Sequence, residues 1–522
     1  MTAAGPTAQW QPRKPALQSS HGIVASQHWI ASQAGARILS EGGNAADAAI
    51  VTAFSLGVLE PWLSGIGGCG FLLYYSAKDQ SVQGVDFGTV APKDLDPSAF
   101  PLTSQESGDW FNWPQVVGDR NLEGYSSICV PTQIAGLALA LEKFGTLSWA
   151  DALAPAIDFA DQGLPVDWYA SLCIAVDSRG LDKFPASREI FLPDGRAPIA
   201  ADAVNVKRLP FPHLAGTLKR LAQAGPRDFY EGDIAERVVS DLQRGGNTMT
   251  AQDLAGYEAR LVDPLVTSYR GADLHAMPGL SGGPTFVDIM ERFSDALVPQ
   301  DQLDAQSVVS QVEGIRAAYE KRLTADGHGA SCTSHLSVID AEGNMAALTG
   351  TLLSRFGSKV VLPETGMLMN NGMMWFDPRP GRPNSIKAGA RPLANMCPVI
   401  ATRGGRPLMT IGAAGGRQII PTVTQILSYV LDFGMSLEDA FHHPRINAEG
   451  RILRCNKAMN TGHLSALAER FELVRVDDTV YPVQFANPSA VMHDAVTGQN
   501  IGMVHVNSPW PSAAAADPAD FQ

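Results

Sequence analysis

The chain has 522 residues, of which 45% are hydrophobic and 18% charged. This composition is typical of a globular protein with a large apolar core, and it excludes a disordered or fibrous chain. The formal net charge of −14 argues against binding to nucleic acid or to an anionic membrane surface. Length alone favours two to four domains, although large layered enzymes exceed this guide.

The first third of the chain predicts a loose leader over residues 1–20 and then short elements separated by turn residues. In chain order these are an extended segment at 22–26, a helix at 32–40, a helix at 45–59, a glycine loop at 64–70 and a strand at 71–75. Asn44 is placed to cap the second helix, and Pro61 ends it.

The remainder of the chain changes from helices to strands. Helix is predicted over 132–163, and the later elements are strands near 265–269 and 273–277, helices ending near 297 and 323, hairpins at 335–351 and 398–412, and a helix at 421–433. A polar segment, Asp326–Gly329, precedes the first hairpin, and the Ala- and Pro-rich residues 509–522 predict a surface tail. This order of elements favours a layered α+β fold over a series of βαβ units.

The cysteines and the distribution of apolar residues indicate where in the cell the protein resides. The six cysteines are scattered without a C-x-x-C pair, which favours free buried thiols over a zinc site or a disulfide framework. The N-terminus lacks the apolar segment of a secretory signal, and no run of about 18 apolar residues predicts a membrane-spanning helix. We therefore expect a soluble, cytoplasmic protein.

Two familiar patterns do not carry their usual meaning here. Gly65–Gly70 fits G-x-G-x-x-G, but a helix precedes it and a strand follows, which is the reverse of a dinucleotide site. We expect these glycines to allow close backbone packing near a pocket. The histidine groupings, of which His442-His443 is the clearest, have no carboxylate or cysteine at metal-ligand spacing, so no metal site is predicted.

Two segments are compatible with amide chemistry. The polar Asp326–Gly329 segment leads into a strand that begins at Thr333, and cleavage of the 332–333 bond would give Thr333 a free α-amine. Such an amine, with a pKa of about 7.7–8.0, can act as the general base for its own hydroxyl. The Gly412–Gly416 turn could present backbone amides to an oxyanion. Taken singly, each segment is better explained as an ordinary strand start or strand-to-helix turn.

Considered together, an ordered set of motifs spread from about Gly22 to Met503 resembles the gamma-glutamyltranspeptidase family. The motifs are Gly42-Gly43-Asn44-Ala45-Ala46-Asp47, Glu60-Pro61, Ser64-Gly65-Ile66-Gly67-Gly68, Val130-Pro131, Thr333-Ser334-His335, Phe356-Gly357-Ser358, Asn370-Asn371, Arg391-Pro392-Leu393, Gly415-Gly416 and Pro444-Arg445. The resemblance implies a four-layer αββα sandwich of the N-terminal nucleophile hydrolase type. It also implies autocatalytic cleavage between Cys332 and Thr333.

The resemblance further implies how the cleaved protein is organised. Residues 1–332 would form a large chain and residues 333–522 a small chain, intertwined in one domain as a heterodimer that could oligomerise further. Thr333 would be the nucleophile, Thr351 would orient its amine, and the Gly415 and Gly416 amides would form the oxyanion hole. No metal or cofactor is implied, and the partner would be a small-molecule amide substrate.

The sequence departs from the family at the positions that hold a glutamyl substrate. The clamp arginine is replaced by Gly88, the clamp asparagine by Leu353, the acidic pair by Met374-Trp375 and the paired serines by Ala394-Asn395. Unpaired charges in a desolvated pocket cost several kcal/mol, and these side chains cannot pair them.

These departures point to a different acyl group. The predicted substrate-binding residues are Leu353, Arg355, Trp375, Ala394 and Asn395. Arg355, Arg379 or Arg382 could bind a carboxylate through a bidentate pair. Family branches with such a pocket resemble class IV cephalosporin (glutaryl-type) acylases and oxamate amidohydrolase. Two alternatives stay open: a true gamma-glutamyl transferase or glutathione hydrolase with a rebuilt clamp, and a non-catalytic binding module that retains the fold.

Overall fold

The computed structural model describes residues 12–106, 114–200, 206–325 and 332–521. Its strands are β1 Leu17–Ser19, β2 Ile23–Ser26, β3 Cys69–Ser76, β4 Ser81–Phe87, β5 Leu102–Glu106, β6 Pro114–Val116, β7 Leu164–Pro165, β8 Arg208–Leu209, β9 Arg260–Val262, β10 Leu265–Tyr269, β11 Ala272–Ala276, β12 Cys332–Ile339, β13 Met345–Leu353, β14 Val399–Arg403, β15 Arg406–Ala414, β16 Ile446–Asn447, β17 Leu453–Asn456, β18 Leu473–Val476, β19 Asn487–Asp494, β20 Gln499–Val504 and β21 Ser512–Ala515. Its α-helices are α1 Trp29–Ser40, α2 Ala45–Leu59, α3 Gln133–Phe144, α4 Trp149–Gln162, α5 Trp168–Leu181, α6 Pro185–Phe191, α7 Pro212–Ala224, α8 Asp228–Glu231, α9 Asp233–Arg244, α10 Ala251–Ala255, α11 Gly283–Ala296, α12 Ala305–Ala325, α13 Ile419–Leu431, α14 Leu437–His442 and α15 Thr461–Ala468.

Two seven-stranded antiparallel sheets face each other at the centre of the molecule. The first has the strand order β1-β20-β19-β15-β14-β11-β10 and the second the order β21-β2-β12-β13-β3-β4-β9. Strand β12 packs across the interface against β15 and β19. Apolar side chains of both sheets, including Leu73, Ile339, Ile400 and Val491, fill the space between them.

Helices cover the outer faces of both sheets. Helix α2 lies against β12 and β13, while α11 packs on β10 and β11 and α13 on β15. Nearly every residue of α2 is buried, as expected for a helix that is apolar on all sides and enclosed by other layers. The resulting order of helix, sheet, sheet and helix confirms the predicted α+β fold, a four-layer αββα sandwich.

The hairpin of β12 and β13 places the start of β12 near the middle of the molecule. Leu336 and Val338 face the helical layer, whereas Ile339 faces the sheet interface, and the predicted hairpin of β12 with β13 is confirmed. The side chain of Asp340 accepts hydrogen bonds from the backbone and the side chain of Asn344, which closes the turn. A positive φ of 87° at Gly343 completes this turn without steric cost.

Several sequence predictions differ from the structure. Helix does not run through 132–163 but is interrupted after Phe144, where Asp47 accepts hydrogen bonds from the Thr146 and Leu147 amides instead. The predicted surface tail contains β21, which pairs with β2, and the predicted leader contains β1, which pairs with β20.

Other predictions can be compared only in part. The predicted polar segment before Thr333, Asp326–Gly329, lies outside the described residues. Five of the six cysteines are buried and free as predicted: Cys69, Cys129, Cys173, Cys397 and Cys455. No helix in the described ranges combines the length and apolarity needed to cross a lipid bilayer.

Candidate active site

Thr333 lies at an irregularity between the two central strands. Cys332 pairs with Leu353 and Ser334 pairs with Gly350, so Thr333 alone faces two residues of β13, Thr351 and Leu352. Bulges of this kind are frequent next to active sites because they re-aim a side chain. Both threonines are fully buried. The predicted neighbours Thr333 and Thr351 are thus brought together.

The backbone behind this irregularity is packed closely. A Cβ atom at Gly68 would lie 2.2 Å from the carbonyl oxygen of Thr351, so only glycine fits there. This confirms that the glycine loop allows a close backbone approach. The amide of Leu353 donates a 2.7 Å hydrogen bond to Oγ1 of Thr351, and Leu353 itself has a φ of +83°. Strained backbone of this kind is held in place by its surroundings and often marks functional sites.

The predicted oxyanion glycines form the turn between β15 and the helical segment that follows it. Gly415 has a φ of +142° and Gly416 a φ of +66°. A Cβ atom at Gly415 would lie 2.7 Å from Cα of Ala486. Gly415 and Thr333 line the same pocket, although they come from different sheets. The structure therefore brings the predicted nucleophile to the predicted oxyanion turn.

This shared pocket encloses about 840 Å³ of space free of protein atoms, including solvent at its mouth. Its walls are mainly apolar and aromatic, and they come from the turn after α2, from α5 and from the loop before β19. The apolar and aromatic lining residues are Trp62, Leu63, Tyr169, Leu172, Val176, Val480, Tyr481 and Val483. A mainly apolar pocket with a few polar groups suits a small organic substrate.

Of the three arginines considered from sequence, Arg355 is the one that lines the pocket. Its Nε atom donates a 2.6 Å hydrogen bond to Asp177, and its guanidinium lies 5.1 Å from the ring centre of Tyr481. Lys359 also binds Asp177, so one carboxylate is shared by two cations. Arg379 instead forms a two-point contact with Asp377 and, like Arg382, lies outside the pocket lining.

A second ion pair at the pocket was not foreseen from sequence. Nε of Arg417 lies 3.3 Å from Oε2 of Glu449, and both residues line the pocket. Arg417 directly follows the Gly415-Gly416 pair, so its position beside the turn was the only available signal. Glu449 lies after β16 and carried no sequence signal at all.

The other predicted apolar substrate contacts belong to the core between the two sheets. Leu353, Trp375 and Ala394 are buried in that cluster together with Met374 and Met396. None of these five residues lines the pocket. Their assignment as substrate contacts stays a prediction.

Some polar groups at this cluster are hydrogen-bonded and others are not. Arg322 donates hydrogen bonds to the carbonyl oxygen of Ala394 and to Oδ1 of Asn395, which fixes the 394–395 segment. Two buried donors at the cluster, Nε1 of Trp375 and Nδ2 of Asn395, make no hydrogen bond in the described part of the chain. At Gly88, a Cβ atom would lie 2.5 Å from Nη2 of Arg391, which pairs with Asp86.

A buried carboxyl group is hydrogen-bonded to β12 next to Thr333. Oγ of Ser334 donates a 2.6 Å hydrogen bond to Oε2 of Glu60, and both residues are 2% exposed. Burial raises the pKa of Glu60 to about 8, against the lowering effect of that hydrogen bond. The residue after Ser334, His335, is also buried, and desolvation lowers its pKa to about 3. His335 is therefore uncharged at neutral pH.

The chain is similar over most of its length to a known family and to curated proteins. A family model described as "Gamma-glutamyltranspeptidase" matches residues 31–330 and 323–500. The "Acylase ACY 1 proenzyme" of Pseudomonas sp. (strain SE83) is 31% identical over 500 residues, covering 88% of each chain. The "Glutathione hydrolase proenzyme" of Escherichia coli (strain K12) is 29% identical over 531 residues, covering 90% of this chain and 88% of the relative.

Solved structures show the same fold. A cephalosporin acylase from Bacillus halodurans superposes with a TM-score of 0.82 at 24% identity, covering 99% of both chains. A gamma-glutamyltranspeptidase from Helicobacter pylori superposes with a TM-score of 0.53 at 28% identity, covering 60% of this chain and 86% of that one. The relatives are thus acylases and glutathione hydrolases, and the chain belongs to the gamma-glutamyltranspeptidase family.

Proposed function

We propose that the protein is an amide hydrolase that cleaves its own chain before Thr333 and then uses Thr333 to form an acyl-enzyme. The observation that carries this proposal is the shared pocket of Thr333 and Gly415. Autocleavage begins when the Thr333 hydroxyl attacks the carbonyl carbon of Cys332. The C–N bond breaks, the Thr333 nitrogen takes up the hydroxyl proton, and water hydrolyses the ester. The relatives named as proenzymes support such processing.

Substrate turnover would use the same groups. The Thr333 hydroxyl attacks the substrate carbonyl, and its own amine accepts the proton and passes it to the leaving amine. The Gly415 and Gly416 amides stabilise the negative charge on the tetrahedral oxygen, and Thr351 orients the amine. Water or an acceptor amine then releases the acyl group, so no metal or cofactor is needed.

We propose a non-glutamyl acyl group that carries a carboxylate, either at the end of an apolar body, as in glutaryl amides, or directly beside the reacting carbonyl, as in oxamate. Tyr169, Leu172 and Tyr481 offer apolar walls, and Arg355 offers a guanidinium held in place by Asp177. An apolar cluster around Leu353 occupies positions where the family resemblance puts the glutamyl clamp. Glutaryl-type and oxamate-type amides are the candidate classes.

The cleavage step is tested by a denaturing gel and N-terminal sequencing. We expect two bands in the purified protein, with the smaller fragment starting at Thr333. Thr333→Ala should give one uncut band, because the attacking oxygen is absent, while Thr333→Ser should still be cut. A single band in the wild type would contradict the proposal and favour a non-catalytic binding module. A different first residue would contradict the assignment of Thr333 as the nucleophile.

The acyl group is tested by a substrate panel on the processed protein. Glutaryl and oxamate amides should be hydrolysed with a higher kcat/KM than gamma-glutamyl-p-nitroanilide. The glutathione hydrolase relative makes the opposite order the specific alternative. If gamma-glutamyl-p-nitroanilide were the best substrate, the protein would be a gamma-glutamyl enzyme with a rebuilt clamp.

A further inference from the structure

Glu60 connects α2 to both strands that carry the candidate catalytic threonines. Its side chain receives the hydroxyl of Ser334, the residue next to Thr333 on β12. Its backbone carbonyl oxygen accepts a 3.0 Å hydrogen bond from the Leu63 amide, so Glu60 also begins the turn after α2. In that turn, the carbonyl oxygen of Leu63 accepts a 2.9 Å hydrogen bond from Leu352 of β13. Hydrogen bonds from Glu60 and from the turn that follows it therefore hold both β12 and β13 at the irregularity beside Thr333.

The side-chain directions fit this arrangement. Because side chains alternate along a strand, Ser334 shares its face with Leu336 and Val338, which pack toward α2. The bulge interrupts this alternation at Thr333, which lines the pocket that it shares with Gly415. A hydrogen bond that holds Ser334 on the α2 side consequently fixes the strand directly beside Thr333.

Burial favours the uncharged form of the Glu60 carboxyl at neutral pH. Tyr169 and Cys173 of α5 are the titratable groups that sense its charge, and burial raises the pKa of each far above its usual range. Arg355 is the cation on this wall, and its charge acts on Cys173. Desolvation raises the pKa of Glu60 itself to about 8.

We propose that Glu60 is a positioning residue for the nucleophile, holding Thr333 toward the pocket through Ser334 and sparing its α-amine a nearby negative charge. This inference rests on the proposed function of Thr333. A charged carboxylate would stabilise the protonated amine, which cannot act as a base. A neutral carboxyl keeps the hydrogen bond and avoids that effect.

Three variants separate the two parts of this role. Glu60→Ala and Ser334→Ala remove the hydrogen bond, and we expect each to slow autocleavage and lower kcat/KM by about tenfold or more. Glu60→Gln can still accept from Ser334 and should restore most of both losses. Ser428→Ala is the matched control, because Ser428 is a buried serine that donates a 2.6 Å hydrogen bond to a buried carboxylate, Asp432, far from β12.

Rescue by Glu60→Gln ties the losses to the hydrogen bond, and the pH profile tests the charge. Because the Glu60 carboxyl is uncharged below its pKa of about 8, the neutral amide in Glu60→Gln should leave the acid limb of kcat/KM where it lies in the wild type. The positioning role is overturned if Glu60→Ala matures and turns over like the wild type. The electrostatic part is overturned if the acid limb moves to lower pH in Glu60→Gln, because that shift would reveal a charged carboxylate near the amine of the wild-type protein. Cleavage and activity in Thr333→Ala would instead refute the proposed function.

Discussion

Arg355 carries the acyl-group hypothesis, because its guanidinium lines the pocket of Thr333 and is held by Asp177. The Arg355→Gln change removes the charge but keeps most of the side-chain volume. We expect kcat/KM for carboxylate-bearing acyl substrates to fall about 10- to 100-fold relative to neutral acyl substrates of the same length. Steady-state kinetics with paired substrates would measure this ratio.

The control for this change is Arg379→Gln. Arg379 is also paired with a neighbouring aspartate, Asp377, but it lies outside the pocket lining. The same loss of charge there should leave the ratio between the two substrates within about twofold. Equal effects of the two substitutions would show that Arg355 does not contact the acyl group.

The turn at Gly415 has no room for a side chain. The Gly415→Ala change would place Cβ 2.7 Å from Cα of Ala486, at a φ of +142° that other residues avoid. The turn must shift, so its amides would move away from the developing oxyanion. We expect kcat to fall about 10²- to 10³-fold, the usual effect of losing one oxyanion donor. Gly216→Ala in α7 should have no such effect, because a Cβ atom added there would meet no atom within 4 Å beyond its own helix backbone.

The candidate site was predictable where chemistry depends on a local segment. Thr333 begins a strand after a polar segment, and Gly415 lies in a glycine turn, so both could be found from sequence. Tyr481 and Glu449 could not be found, because they reach the pocket only through the tertiary fold. Arg355 was one of three equivalent candidates until the fold separated them.

Helix α2 shows how one buried element is anchored. Asp47 is fully buried and accepts hydrogen bonds from the amides of Asn44, Thr146 and Leu147 and from the Thr146 hydroxyl. The Asp47→Ala change would leave these buried donors without an acceptor. We expect the free energy of unfolding to fall by about 3 kcal/mol, measured by denaturant unfolding of the processed protein.

The Asp151→Ala change is the control for the predicted effect of Asp47→Ala on stability. It also lies in the first turn of a helix and contacts its capping residue Ser148, but it is exposed to solvent. Water can replace the lost contacts, so Asp151→Ala should cost less than about 1 kcal/mol. Equal destabilisation by both changes would mean that the Asp47 contacts add nothing to stability.

At the scale of elements, sequence patterns succeeded where local signals were complete. The boundaries of α2 were predicted because Asn44 caps it and Pro61 follows it. Strand β21 was missed because its sequence, Ser-Ala-Ala-Ala, has no apolar alternation. Its pairing with β2 is decided by a partner almost 500 residues away, and no local pattern records such a contact.

The whole molecule is built so that the two proposed chains are interwoven. The first sheet combines β1, β10 and β11 with strands that follow Thr333, and in the second sheet β12 lies between β2 and β13. We expect the two fragments to elute together in size-exclusion chromatography after cleavage and to separate only under denaturing conditions. Elution of the small fragment alone in native buffer would contradict this expectation.

The position of Thr333 at the head of an inner strand has a kinetic consequence. From Ser334 onward, β12 is hydrogen-bonded to β13, and from Leu336 it is also bonded to β2. Cleavage there produces a chain end that these hydrogen bonds already hold, so no second molecule is needed. Maturation should therefore be a first-order process whose half-time does not depend on the concentration of the precursor.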